Sequence, residues 1–226
     1  MPTSIHSSIN ILKQHLLFLG TVVEEGIKNS IKAVQTLDPV LAAEVQEDDS
    51  KINALEVDIE EECLKILALY QPVASDLRFV VTALKMNREL ERIGDLACKV
   101  ADKVILLDTA KKHEKNPNSI VIPTDFEPMF ATTLLMFSQC LDSFVNEDAS
   151  LAHHICVLDD EVDAAKRTIR KQLGEIVGND PKQQVYQPLL LSISRGMERI
   201  ADHTTNAAED IIYMLQGRIV RHEHVI

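Results

Sequence analysis

Apolar residues recur at three- and four-residue intervals along nearly the whole chain, the pattern of helices that each bury one stripe. No stretch alternates with a period of two, so no strand is expected. Ile9, Leu12, Leu16, Leu19, Val23, Ile27, Ile31 and Val34 mark a first helix over about 7–35. Asp38-Pro39 reads as an N-cap followed by proline at the first helical position. It opens a second helix, with Leu41, Val45, Ile52, Leu55, Ile59, Cys63 and Ile66 inward, that runs to Tyr70 before Pro72 interrupts it. A third helix runs from about Ala74 to Ala110. Lys111 to Pro123 is polar, holds Pro117 and Pro123 and has no period, which reads as a linker.

Thr124 with Glu127 resembles a capping box for a fourth helix carrying Phe130, Leu134, Phe137, Leu141 and Phe144. Asn146-Glu147-Asp148 breaks it. A fifth helix is expected from about Ser150 to Val177, and Gly178-Asn179-Asp180-Pro181 separates it from a sixth. Gly217 is placed to cap that last helix. The prediction is an all-α protein: two tandem antiparallel three-helix bundles, 1–112 and 124–226, joined by 113–123.

The halves are also related in sequence. Glu91-Arg92-Ile93-Gly94-Asp95 returns 107 positions later as Glu198-Arg199-Ile200-Ala201-Asp202. Arg88 matches Arg195, Ala101 matches Ala208, and Asp102 matches Glu209. At about 100° per residue, Asp95 lies roughly 40° from Glu91 and Asp102 roughly 20°, so three carboxylates share one stripe. Glu198, Asp202 and Glu209 repeat it, and both stripes lie opposite the apolar face of their own helix. A solvated face is the ordinary explanation of one such stripe. Against it, like charges at i,i+4 cost a few tenths of a kcal/mol, and the costly spacing occurs twice.

A second acidic stripe lies upstream in each half: Asp49, Asn53, Glu56 and Glu60 in the first, Asp159 and Asp163 followed by Lys166 and Arg170 in the second. Side-by-side packing of the two helices of each half would bring the carboxylates together. Such oxygen clusters suit magnesium, manganese, calcium or oxidised iron and lack the soft ligands of a structural zinc site.

Composition narrows the function. A net charge of −12 over 226 residues argues against a nucleic-acid binder, and no basic patch stands out in the linear sequence. The same acidity predicts that a small anion would bind only by bridging a metal. The four cysteines, Cys63, Cys98, Cys140 and Cys156, form no CxxC pair and read as small reduced hydrophobes. No secretion signal is evident, and the longest uncharged run falls short of a membrane span. No nucleophile-base arrangement or glycine-rich phosphate loop is present.

Ala74-Ser75-Asp76-Leu77-Arg78, the two ERI-small-D copies, His203, Asn206, Ala208 and Glu209 together resemble the PhoU family of phosphate-transport regulators. The resemblance implies a cytoplasmic negative regulator of the phosphate-starvation response. It would act as an adaptor between a phosphate ABC transporter and a sensor histidine kinase, touching the membrane only through those partners, with room for a homodimer. It also implies surface metal clusters, of iron, zinc, manganese or magnesium. Carried over by position, the ligands are Asp49, Asn53, Glu91, Asp95 and Asp102 in the first half and Asp159, Asp163, Glu198, Asp202 and Glu209 in the second. Lys99 opposes cation binding in the first half, and Lys166 and Arg170 weaken the field in the second. Two rivals stand beside this reading: a helical scaffold that binds no metal, and a carboxylate-bridged di-metal enzyme. The enzyme needs Glu-x-x-His motifs, and no histidine here has a glutamate three positions before it.

Overall fold

The computed structural model describes residues 4–113 and 120–220, and these contain six long helices, one short 3-10 turn and no strand. The helices are α1 (Ile5–Thr36), α2 (Pro39–Tyr70), α3 (Ala74–His113), α4 (Phe126–Asn146), α5 (Ala149–Asn179) and α6 (Gln187–Gln216). Helices α1–α3 form one antiparallel bundle and α4–α6 the other. Part of the expected linker, residues 114–119, lies outside the described residues.

Local chemistry sets the helix ends. The Asp38 carboxylate accepts from the amides of Val40 and Leu41 at 2.9 and 3.2 Å. Asp148 repeats this with Ser150 and Leu151 at 2.9 and 3.1 Å. Each satisfies donors that the first helical turn leaves open. Gly217 ends α6 in the left-handed region at φ 69°, where a Cβ is disfavoured.

Three boundary expectations change. The capping box at Thr124 does not form: the helix begins at Phe126, and the Asp125 carboxylate takes a hydrogen bond from Gln172 on α5 instead of capping its own helix. The fifth helix passes through Gly178 to Asn179, because a helical glycine costs only about 1 kcal/mol and nothing there demands a turn. Residues Pro181–Val185 then form a 3-10 turn, with Asp180 capping Lys182, so the sixth helix starts later, at Gln187.

The two bundles pack chiefly through α3 against an antiparallel α6. Arg78 Nε donates to the Met214 carbonyl at 3.1 Å, and Lys85 Nζ meets the buried Asp210 carboxylate at 2.9 Å. Further along, His203 Nδ1 lies 2.7 Å from Glu89. At the far end Gly196 faces Val100, where a Cβ would come within 2.6 Å of a valine methyl. Glycine therefore permits the close approach of the two helices.

Candidate functional site

The acidic stripes of each half do come together. In the first bundle α2 lies along α3, and Gly94 lets them close: a Cβ there would come within 2.8 Å of Ile52 Cδ1. The closure faces Asp49 and Glu56 toward Glu91 and Asp95. Burial pushes the Glu91 carboxyl up, Asp95 pushes it further, Arg92 opposes, and Glu56 and Asp49 add to the rise. Asn53 turns along its own helix and donates to Asp49 at 3.0 Å. The Cys98 thiol donates to Asp49 at 3.6 Å, and burial beside that charge raises its pKa to about 12. Basic side chains reach into the cluster, with Lys99 Nζ 3.4 Å and Arg92 3.8 Å from Asp95. Asp102, further along the stripe, is held by Lys103 at 2.7 Å.

The second bundle repeats the meeting with more acid. Asp159 is pushed from an ordinary 3.8 to about 6, by burial first and then by Asp202, Asp163, Asp160 and Glu198. Asp202 is also raised, by burial, Glu198 and Asp163, with His203 and Lys166 opposing. Lys166 Nζ sits 2.6 Å from Glu198, and Arg167 3.5 Å from Asp163. Glu209 acts on the Cys156 thiol together with Asp159, which puts it at the edge of this cluster.

Among the described residues, no three His, Cys, Asp or Glu side chains converge as a preformed metal site. The donor chemistry nevertheless fits a hard cation. Both sets are carboxylate-rich, and burial raises the thiols of Cys98 and Cys156 to about 12 and about 11, which disfavours the thiolate. Thr205, one turn beyond Asp202, carries a buried Oγ1 with no hydrogen-bond partner.

His203 and Asn206, beside the second cluster in sequence, make their hydrogen bonds elsewhere. Both reach across to Glu89 on α3, at 2.7 and 3.4 Å, and join the bundles. His203 lies about 100° around the helix from Asp202, on the α3 side, whereas Asn206, only about 40° from Asp202, reaches Glu89 at the longer distance. Glu89 was not legible as their partner, because nothing in the linear pattern relates positions 114 apart. Thr205 escaped for another reason: hydroxyls give no periodic signal, although its i+3 spacing from Asp202 places it beside that side chain.

Comparison with known proteins agrees with this layout. The profile of the PhoU domain matches residues 16–104 and again 126–211, once in each bundle. The chain is 35% identical over 217 residues to the "Phosphate-specific transport system accessory protein PhoU homolog" of Pseudomonas aeruginosa, covering 96% of this chain and 87% of that one. It is 32% identical over 217 residues to the "Phosphate-specific transport system accessory protein PhoU" of Escherichia coli K12, with the same coverage of 96% and 87%. The crystal structure of PhoU from Pseudomonas aeruginosa superimposes with a TM-score of 0.88 at 33% identity, over 95% of this chain and 100% of that chain.

Proposed function

The chain belongs to the PhoU family, and on that premise we propose that it is a regulatory accessory protein of phosphate transport whose two acidic clusters hold metal ions. The observation that carries the metal reading is unbalanced charge. The carboxyls of Glu91, Asp159 and Asp202 are each raised above the ordinary carboxylate range by burial and by neighbouring carboxylates contributed from two helices. A cation would relieve that repulsion. Asp49, Glu91 and Asp95 would hold it in the first bundle, with Asn53 and Asp102 at the edges. Asp159, Asp163, Glu198 and Asp202 would do so in the second, joined by Glu209. Iron, manganese and magnesium suit such ligands better than zinc, which favours nitrogen and sulfur.

We read the protein as a regulator and not an enzyme, an adaptor in the cytoplasm between a phosphate ABC transporter and a sensor histidine kinase. The names of its relatives, accessory proteins of a phosphate-specific transport system, support the first partner. Among the described residues no helix is long and apolar enough to cross a membrane, which is consistent with peripheral docking. The second reading is a scaffold without metal. It is favoured by Lys99 and Lys166, whose ammonium groups already neutralise Asp95 and Glu198.

Elemental analysis of the purified protein, followed by titration with manganese and iron after chelation, separates the two. Retained metal that disappears in Asp95→Ala and Asp202→Ala, with the helical circular dichroism unchanged, supports the proposal. A wild-type protein that binds neither ion leaves the scaffold. Recovery of transporter and kinase by the tagged protein, compared at high and low phosphate, tests the adaptor role separately.

A further inference from the structure

The packing of α3 on α6 creates a surface absent from either helix alone. Where Gly196 meets Val100, the two helices border a shallow pocket of about 150 Å³ lined by Lys99, Lys103, Ser192, Arg195, Gly196 and Arg199, with Leu96 and Val100 at its apolar base. Two cations come from each helix, and no carboxylate lines the cavity. In a protein of net charge −12 this is a strong local reversal. The contrast with the other cavities is direct. The larger one along α2 and α3, of about 730 Å³, mixes Lys85, Arg88 and Arg92 with Glu56, Glu60 and Glu91. The one between α1 and α2 sets Lys65 against Asp58, Glu61 and Glu62.

The cations are also unevenly satisfied. Lys99 and Lys103 are balanced within their own helix by Asp95 and Asp102. Among the described residues Arg195 and Arg199 have no carboxylate within ion-pair distance, and both guanidinium groups are exposed at the rim. They lie four residues apart, one turn of α6, where like charges repel. Close packing through Gly196 holds them beside two lysines, so the fold maintains a repulsion that an anion would remove. Two guanidinium forks, two ammonium groups and the Ser192 hydroxyl form a donor set suited to tetrahedral oxygens, because arginine pairs with them in a bidentate manner.

We propose that this groove binds a small phosphate-class oxyanion directly, without metal. The small cavity and its two-sided lining favour a compact anion over an extended acidic peptide. The proposal departs from the sequence-level expectation that phosphate binds only by bridging a metal. That expectation rested on net charge, whereas the local field here is positive. The proposal does not require metal in the acidic clusters, although Lys99 and Lys103 pair with Asp95 and Asp102 of the first one.

The test is isothermal titration of the full-length, chelator-treated protein at low ionic strength, with inorganic phosphate and a nucleoside monophosphate as separate titrants. Saturable binding of either supports the proposal and identifies whether the free or the esterified anion is preferred. The double variant Arg195→Ala/Arg199→Ala should bind at least about tenfold more weakly, the loss expected for one charged bidentate contact. Arg195→Lys/Arg199→Lys, which keeps the charge but removes the forks, should fall between, and circular dichroism confirms that each variant folds. Absence of binding by both titrants, undiminished binding in the alanine variant, or binding restored only when metal is added back would each overturn the inference. Because the titration uses chelated protein, its failure leaves the metal reading untouched, and empty acidic clusters leave this one untouched.

Discussion

Replacing Asp159 with asparagine should stabilise the metal-free protein at neutral pH while doing little in acid. In the folded chain this carboxyl is pushed from 3.8 to about 6 by burial and by Asp202, Asp163, Asp160 and Glu198. A raised carboxyl binds its proton more tightly when folded than when unfolded. The associated stability is present below the unfolded value and is lost as pH rises through about 6. One pH unit of displacement corresponds to about 1.36 kcal/mol, which gives on the order of 3 kcal/mol before screening. Asp159 is only half-buried, so solvent reduces this to roughly 1–2 kcal/mol. Asparagine keeps the shape and removes the charge. Urea denaturation of chelated wild type and Asp159→Asn, followed from about pH 4 to 7.5, should show the curves diverging through the interval between the two pKa values, with the variant ahead at neutral pH. Manganese added at neutral pH should stabilise the wild type and close the gap, since a ligand that binds only the folded state stabilises by mass action. A difference between the two proteins that does not change with pH would refute the reasoning, because no mutual repulsion would then reside at this carboxyl.

Other outcomes follow from particular contacts. Lys166→Gln removes the ammonium group 2.6 Å from Glu198 and should tighten manganese binding at the second cluster by about tenfold or more in calorimetry, since a like charge at this range is worth up to about 4 kcal/mol before screening. Gly196→Ala forces a methyl to within 2.6 Å of the stiff Val100 side chain and should cost about 1–3 kcal/mol in urea denaturation. Gly26→Ala meets nothing within 4 Å in the middle of α1 and should instead gain about 0.5–1 kcal/mol in the same assay. Lys85→Ala removes a 2.9 Å partner from Asp210, which is only 2% exposed, and should cost on the order of 2 kcal/mol by the same measure.

By itself the sequence determined six helices, their duplication and the stripes on which the carboxylates lie. These features depend on neighbours three, four and seven residues apart, whose geometry is set by the turn of the helix. Asp38 as a cap, Gly217 as a stop and Glu91 beside Asp95 all belong to that local class. What the tertiary structure decided is how the two halves meet. His203 turns to Glu89, Arg195 and Arg199 join Lys99 and Lys103, and Asp125 turns to Gln172 instead of capping its helix. Each outcome depends on the register of helices far apart in the chain, and that register is selected by the fit of small residues such as Gly94 and Gly196 against opposing side chains. Net charge is a sum over the whole chain and carries no information about where that packing gathers charge of one sign.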